Sequence, residues 1–187
     1  MGVRRRRASF SCQPVRTGEA VMDRLWAPWR IGYVTQAHKE AACFLCEAAA
    51  AKDNREKLVL WRAGTCFCML NCWLYNNGHM MVAPLAHKAD LNDLSDDELL
   101  EQMRLLRRCR QNLAAVIKPA GFNVGLNLGR AAGAGVVGHL HWHIVPRWDG
   151  DTNFMPVLGE TKVISQSLEA LYELLRPAYR KRYPSPG

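Results

Sequence analysis

Three histidines at alternate positions are the residues of this sequence whose type and spacing point most directly to chemistry. His139, His141 and His143 stand in the stretch HLHWHIVPRW, separated by Leu140 and Trp142. Alternation with a period of two is typical of a β-strand, in which successive side chains point to opposite faces. The pattern therefore predicts a strand with all three imidazoles on one face and apolar side chains on the other.

Three roles can be considered for such a set of imidazoles. A metal ion held by all three is excluded, because residues i and i+4 on a strand lie about 13 Å apart whereas a metal–nitrogen bond is near 2 Å. In a second interpretation one imidazole is a nucleophile, and the glycine-rich loop of residues 129–138 presents backbone N–H groups to a phosphate. In the third, the histidines form a polar sheet face. The spacing alone leaves the last two open.

The segments around the histidines predict the elements that must position them. Apolar runs at residues 58–61 and 65–70 indicate a hairpin, and residues 79–84 and 121–128 indicate two further strands. Ser95 and Glu98 form a capping-box pattern that opens a long helix to about residue 118, and an amphipathic segment at about 165–183 indicates a C-terminal helix. Strands and helices in this order, without βαβ repetition, indicate the α+β class with an antiparallel sheet.

Length and composition limit the possible classes of protein. The 187 residues suit one domain, and no run of 18 or more apolar residues that could span a membrane occurs. Half of the net charge of +8 lies in residues 1–21, which hold five arginines against one glutamate. This segment is either a nucleic-acid or targeting patch or a disordered tail, and we favour the tail, with the folded domain at 22–187 and a start near Met22. No nucleic-acid partner is expected.

The cysteine count bears on the compartment in which the protein works. Seven cysteines, an odd number without an export signal, argue against a disulfide framework and for a reducing compartment, the cytoplasm. Cys66, Cys68 and Cys72 are interpreted as packing residues of a strand and a loop. The pair Cys43 and Cys46 has the CxxC spacing of zinc ligands, but one CxxC supplies only two of the four ligands that a closed site requires.

Several stretches together resemble one protein family. HLHWHIV matches the His-φ-His-φ-His-φ-φ signature of the HIT (histidine triad) superfamily of nucleotide hydrolases and transferases, and LNCWLYNNGHMMVAPLAH resembles its upstream segment. The resemblance runs from about residue 26 to residue 148, and PRWDGDTNF resembles the branch that contains bacterial diadenosine tetraphosphate phosphorylases. It implies the HIT-like fold, with about five antiparallel strands and both helices packed on them, and the family's homodimer.

The resemblance also implies a mechanism. His141 would attack the α-phosphorus of a nucleotide through Nε2 and form a covalent nucleotidyl-histidine, while its Nδ1–H is held by the backbone carbonyl of His139. His143 would contact the phosphate or the leaving oxygen. The substrate implied is a dinucleoside polyphosphate such as diadenosine tetraphosphate. Two alternatives are a nucleotide hydrolase or phosphoramidase that uses the same histidine, and a nucleotide-binding regulatory module.

Binding residues and the second substrate follow from the same resemblance. Asn71 matches the position that holds the ribose hydroxyls, and Asn127 with the loop at Gly133 to Gly135 matches the phosphate-binding side. Hydrolases of the superfamily usually carry glutamine where this sequence has Gly135. A glycine there gives room for a second anion and leaves only backbone donors, which favours inorganic phosphate over water as the acceptor.

A zinc site completes what the resemblance implies. Zinc-containing relatives, among them galactose-1-phosphate uridylyltransferases, bring two cysteines, a downstream histidine and the first triad histidine together, which here are Cys43, Cys46, His87 and His139. His139 and His141 lie about 6.5 Å apart along a strand, so an ion bound to His139 would not touch a phosphate on His141, and its role would be structural. The alternative is a buried CxxC without metal.

Overall fold

The described part of the chain folds into one antiparallel sheet with three α-helices. The computed structural model describes residues 43–72, 76–151 and 166–182. In chain order these contain α1 (Phe44–Ala50), β1 (Val59–Arg62), β2 (Cys66–Leu70), β3 (Met80–Pro84), a 3-10 helix (Leu91–Asp93), α2 (Asp96–Ile117), β4 (Gly121–Leu126), β5 (Trp142–Arg147) and α3 (Leu168–Arg182). The predicted α+β class, the five strands, the long helix and the C-terminal helix are confirmed.

The last strand of the described residues, β5, lies inside the sheet. The strand order is β1-β2-β3-β5-β4, and every neighbouring pair is antiparallel. β5 therefore has β3 on one side and β4 on the other. His143 of β5 is opposite Met81 of β3 and Gly125 of β4.

The two faces of the sheet bury different sets of side chains. One face packs against α2 and α3 and forms the larger cluster, to which Val82 of β3, Ile144 of β5 and Leu113 of α2 belong. The other face packs against α1 around Phe67 and Met81. Since side chains alternate along a strand, His143 shares its face with Met81 and lies away from the two long helices. We call this second surface the histidine face.

The long helix α2 begins and ends as the sequence indicates. The Ser95 side chain accepts from Glu98 N, Glu98 accepts from Ser95 N, and Lys118 closes the helix at φ 46°. The buried face of α2, however, does not follow apolar character alone. Leu100 and Met103 are 46% and 41% exposed, whereas Gln102 is buried because its Oε1 accepts from the Trp142 indole at 3.1 Å.

The predicted strand through all three histidines is wrong in its extent. β5 begins at Trp142, so His139 and His141 lie in the segment before it. The Leu140 N–H donates to the Lys88 carbonyl at 2.7 Å, which ties this segment to the chain after β3 and away from the ladder with β4. β4 likewise ends at Leu126 instead of continuing to residue 128.

Some predictions fall outside the described residues. The tail of residues 1–21 and the start of a domain near Met22 are among them and stay predictions. Within the part that the structure describes, none of the helices combines the length and apolar character that a membrane span needs. Cys66 and Cys68 are buried, as predicted for packing residues, whereas Cys72 is exposed.

One carboxylate connects α2 to the β1–β2 hairpin. Glu101 accepts from the backbone N–H groups of Gly64 at 3.1 Å and Thr65 at 2.7 Å, and also from the Thr65 hydroxyl. Burial alone would raise the pKa of Glu101, but these hydrogen bonds outweigh it and hold the pKa below the ordinary value of 4.5. The charged form of Glu101 therefore stabilises the folded state.

Replacing this carboxylate should destabilise the fold in a pH-dependent way. The side-chain amide of the Glu101→Gln variant keeps one acceptor oxygen, but its NH₂ group would face the backbone N–H donors of the hairpin. We therefore expect the free energy of unfolding at pH 7 to fall by about 1–2 kcal/mol. A carboxylate whose pKa is lower in the folded state stabilises the fold at pH values above its unfolded-state pKa. This stabilisation is lost as the pH falls through the folded-state pKa, so the difference in unfolding free energy between wild type and variant should shrink below about pH 4. Urea titrations at pH 7 and pH 3.5 test this. Glu56→Gln, at an exposed turn, should change stability by less than about 0.5 kcal/mol.

Candidate active site

The segment before β5 holds the ring of His141 in one tautomer. His141 Nδ1 lies 2.8 Å from the backbone carbonyl oxygen of His139. A carbonyl can only accept, so Nδ1 carries the proton and donates it. A neutral imidazole has one N–H, and Nε2 of His141 therefore keeps its lone pair. The local geometry leaves Nε2 as the atom able to act as nucleophile or base.

Burial keeps this imidazole neutral. His141 is 5% exposed. Burial lowers the pKa of His141 below its ordinary value of 6.5, and the hydrogen bond to His139 only partly opposes this effect. The pKa of His139 is lowered as well, first by burial and further by the nearby imidazoles, against the opposing bond to Pro84. At pH 7 the Nε2 lone pair of His141 is therefore available.

His143 belongs to a chain of hydrogen bonds that leads into the core. Its ring centroid lies 4.9 Å from that of His141. His79 Nε2 lies 3.0 Å from His143 Nδ1, and Asn71 Nδ2 lies 3.3 Å from His79 Nδ1. With the Asn71 amide donating to Nδ1, the single proton of His79 is on Nε2 and is donated to His143. His143 Nδ1 then accepts, so His143 carries its proton on Nε2, where it can be donated to an oxygen.

His79 is a site residue that the sequence interpretation did not assign. It is fully buried directly before β3, preceded by Gly78, whose φ is +75° and where a Cβ would lie 2.7 Å from the Ile117 side chain. The positive φ favours glycine there, and a side chain would also force the end of the Ile117 side chain to move. The sequence could have indicated this role, because an ionisable side chain stands directly before a run of apolar residues, and a buried imidazole needs a hydrogen-bond partner.

The structure joins Asn127 to the middle of the predicted phosphate loop. Asn127 Nδ2 donates to the Gly133 carbonyl at 3.4 Å. Within the loop Gly133 N donates to the Arg130 carbonyl at 3.0 Å, and Gly133 takes a φ of +85°. Gly135 is half-buried farther along the loop. Asn71, the predicted ribose contact, is 7% exposed at the end of β2 and is connected to His143 through His79.

Four side chains converge at the other end of the histidine segment, as the sequence predicts. The ligand atoms of Cys43, Cys46, His87 and His139 all lie within 4.8 Å of one another. Both Cys43 Sγ and Cys46 Sγ are 3.4 Å from His139 Nδ1, and Cys46 Sγ is 3.1 Å from His87 Nδ1. Tetrahedral zinc with two sulfur and two nitrogen ligands places such atoms about 3.3–3.8 Å apart. These residues fit a metal site.

The tautomer of His139 fits the same conclusion. His139 Nε2 lies 2.9 Å from the Pro84 carbonyl and must donate to it, so Nδ1 offers its lone pair to the cluster. Neutral imidazole with an outer carbonyl partner is the usual state of a metal-binding histidine. His139 therefore serves two sites, because its side chain enters the cluster while its backbone carbonyl orients His141.

Comparisons with known proteins agree with this arrangement. Residues 52–150 match the HIT domain family. A Mycobacterium tuberculosis protein described as AP-4-A phosphorylase is 37% identical over 169 residues, which cover 86% of this chain and 86% of the relative. The adenosine 5'-monophosphoramidase HNT1 of Saccharomyces cerevisiae is 30% identical over 110 residues, which cover 59% of this chain and 65% of that protein.

Solved structures share the fold. A zinc-bound histidine triad family protein from Mycobacterium smegmatis superimposes with a TM-score of 0.59 at 23% identity, over 74% of this chain and 93% of that one. At this level of identity the likeness concerns the fold alone. The chemistry of the site is therefore argued from the residues of this chain.

The tautomers of the buried histidines can be measured directly. Long-range proton–nitrogen NMR correlations at pH 7.5 should show the proton of His141 on Nδ1 and the protons of His79 and His143 on Nε2, because each follows from the hydrogen bond at the opposite nitrogen. On lowering the pH, His141 should stay neutral below 6.5. An Nε2–H tautomer at His141 would contradict the geometry, and His141→Ala assigns its resonances.

Proposed function

The chain belongs to the HIT domain family, and on that premise we propose that it cleaves dinucleoside polyphosphates, first of all diadenosine tetraphosphate, by phosphorolysis through a nucleotidylated His141. It is an enzyme of this family that processes nucleotides. The observation that carries the proposal is the 2.8 Å bond between His141 Nδ1 and the His139 carbonyl, which leaves a buried, unprotonated Nε2. The AP-4-A phosphorylase relative supports the choice of substrate.

The first step would form the covalent intermediate. The Nε2 lone pair of His141 attacks the α-phosphorus, an N–P bond forms, and the bond from phosphorus to the leaving polyphosphate oxygen breaks. His143 faces that oxygen with its Nε2–H, which stabilises the negative charge that develops there. His79 keeps this N–H in place through its bond to Nδ1. Nucleotidyl-His141 and ATP would be the outcome when diadenosine tetraphosphate is the substrate.

The second step would return the nucleotide to an acceptor. An oxygen of inorganic phosphate attacks the same phosphorus, the N–P bond breaks, and its electron pair returns to His141 Nε2. ADP leaves, and the imidazole is neutral again. We place the phosphates against the loop at Gly133 and Gly135, with Asn127 holding the loop and Asn71 on the ribose side.

One second function has specific support. The likeness to the phosphoramidase HNT1 favours a hydrolase or phosphoramidase that uses the same His141 with water as acceptor. In that case the first step is unchanged, and only the second differs. A nucleotide-binding regulatory module would instead bind AMP without turnover.

Product analysis should identify the acceptor. Incubated with diadenosine tetraphosphate and phosphate, the protein should release ADP and ATP, because phosphate takes up the nucleotidyl group. The measurement is chromatography of the nucleotides with and without phosphate. AMP and ATP would show that water is the acceptor and would refute phosphorolysis.

The His141→Ala variant is the matched control for the product assay. It should lose turnover by about 10⁴-fold or more, since the nucleophile is gone, while AMP affinity changes little. Acid-quenched wild-type protein should carry the mass of one AMP on His141. An adduct on another residue would exclude the proposed nucleophile, and AMP binding without turnover in the wild type would favour the regulatory module.

For the four-residue cluster we propose zinc, held by Cys43, Cys46, His87 and His139. Four ligands leave no coordination position for water, so the ion would be structural. It would fasten the start of α1 to the segments after β3 and before β5, and so hold His139 in place. As the place of action we propose the reducing cytoplasm, on the odd number of cysteines in the sequence.

Zinc retention should depend on a glycine that binds no metal. A Cβ at Gly138 would lie 3.1 Å from His87 Nε2, so Gly138→Ala should displace His87 and speed zinc loss to a chelator by about tenfold or more. Metal content measured by mass spectrometry during chelation gives the answer. Gly121→Ala, where a Cβ meets nothing within 4 Å, should behave as wild type. A wild-type protein that retains no zinc in a zinc-supplemented preparation would rule the site out.

A homodimer is the last part of the proposal. β4 is an edge strand of the described sheet, and Val124 on it is 53% exposed; Leu100 and Met103 of α2 are exposed apolar residues as well. Apolar residues at an open sheet edge are unfavourable in a monomer. Sedimentation velocity should give about 42 kDa, twice the chain mass of 21.1 kDa, and Val124→Lys should shift it toward the monomer. Wild type sedimenting as a monomer at micromolar concentration would contradict the dimer.

A further inference from the structure

The last turn of α1 is held by one arginine of the sheet. Arg62, the last residue of β1, donates through Nη1 to the Ala49 carbonyl at 2.6 Å. Its Nη2 donates to the carbonyls of Ala48 at 2.6 Å and Ala51 at 3.1 Å, and its Nε donates to Asn54 Oδ1 at 3.1 Å. Most of the N–H groups of the guanidinium are therefore bound, and three of the four hydrogen bonds go to the end of one helix.

The charge of Arg62 faces these carbonyls. None of the ion pairs among the described residues includes Arg62. The last carbonyls of a helix have no partner inside the helix and carry partial negative charge, which a cation stabilises. Burial lowers the pKa of Arg62 below its ordinary value, but a guanidinium keeps its proton at neutral pH. The guanidinium carbon also lies 5.9 Å from the centroid of the Phe67 ring, so the group connects the helix to the sheet beneath it.

The helix α1 depends on contacts with the sheet. It has seven residues, and its N-cap Cys43 makes no side-chain cap hydrogen bond. Because isolated helices shorter than about 12 residues are marginal in water, α1 must be stabilised by its surroundings. Leu45 and Ala48 pack into the cluster around Phe67, but apolar packing is non-directional. The hydrogen bonds from Arg62 to three carbonyls are directional, and they fix how the helix is turned and tilted on the sheet.

Both cysteines of the metal cluster lie at the other end of the same helix. Cys43 is the N-cap and Cys46 belongs to the first turn, which the Glu47 N–H closes by donating to the Cys43 carbonyl at 3.0 Å. With a rise of 1.5 Å per residue, α1 is only about 10 Å long, so a rotation or tilt at its last turn displaces the sulfurs. Metal–ligand distances tolerate deviations of about 0.2 Å. The placement of the last turn therefore decides whether both sulfurs reach the cluster.

We infer that Arg62 is a positioning residue of the metal site, and that its guanidinium orients α1 so that Cys43 and Cys46 face the two histidine ligands before the ion arrives. The inference rests on the zinc site proposed above. Ligands that are already in place lose less freedom when the ion binds, and a thiolate that dissociates stays close enough to bind again. Arg62 should therefore slow the loss of zinc. β1 is the edge strand opposite β4, so Arg62 lies away from the proposed dimer contact.

The test removes the donors of Arg62 and follows zinc. Arg62→Met keeps an unbranched apolar stem beside Phe67 but leaves the helix carbonyls without their partner. Loss of zinc from the loaded protein to a chelator, measured as the metal content of the protein over time, should become about tenfold faster or more. Arg62→Lys keeps the charge but offers its donors from a single atom instead of a planar fork, so it should lose zinc faster than wild type by a smaller factor. This variant keeps the test valid if Arg62→Met is unstable.

Two controls separate positioning from a general loss of stability. Arg55→Met makes the same change at an exposed arginine that pairs with Glu173 of α3, and it should lose zinc within about twofold of the wild-type rate. Glu101→Gln weakens the attachment of the β1–β2 hairpin to α2. It should lower the free energy of unfolding, as predicted above, and change the rate of zinc loss by less than about twofold, because it does not touch α1.

Two results would overturn the inference. One is zinc loss from folded Arg62→Met and Arg62→Lys at the wild-type rate. The other is zinc loss from Glu101→Gln that is as fast as from Arg62→Met, since the rate would then report the stability of the hairpin. A wild-type protein that retains no zinc would instead refute the proposed metal site.

Discussion

The hydrogen bond from His141 to the His139 carbonyl is the interaction on which the candidate site depends. It fixes the proton on Nδ1 and so decides which nitrogen can react. The carbonyl is held in turn, because the side chain of the same residue donates to Pro84 and meets two cysteine sulfurs. One residue thus connects the end of β3, the start of α1 and the head of β5. A displacement of His139 would also move the ring of His141, which lies two residues away and is held by the His139 carbonyl.

Burying an imidazole costs free energy unless its polar atoms are hydrogen-bonded, which explains why the buried histidines have hydrogen-bond partners. His79 and His139 are fully buried and His141 nearly so, and a buried polar group without a partner costs about 1–3 kcal/mol. Each of the three has a hydrogen-bond partner within the described residues. Lowered pKa values for His139 and His141 mean that the unfolded chain binds more protons below pH 6.5, so stability falls as the pH drops. The burial that keeps the His141 imidazole neutral therefore also makes the fold sensitive to acid.

Local signals in the sequence were sufficient for the elements of the scaffold and for the CxxC half of the four-residue cluster. The capping box at Ser95 and Glu98 is a contact between residues three apart, and the hairpin around Gly64 is equally local. The CxxC pair also needs only one helical turn to bring its thiols together. Its convergence with His87 and His139 was predicted through resemblance, because spacing cannot show which distant strand ends meet.

Contacts between distant residues account for the rest. His139 and His141 leave the strand pattern because Leu140 bonds the chain after β3 and the His139 ring binds beside α1, and neither partner can be read from alternation of apolar residues. His79 became part of the site only when β3 paired with β5 and placed it at His143 Nδ1. The same pairing sets Met81 on one side of His143 and leaves glycine on the other. In a sheet, what lies beside a reactive residue is decided by strand order, and strand order is the property that a single sequence specifies least directly.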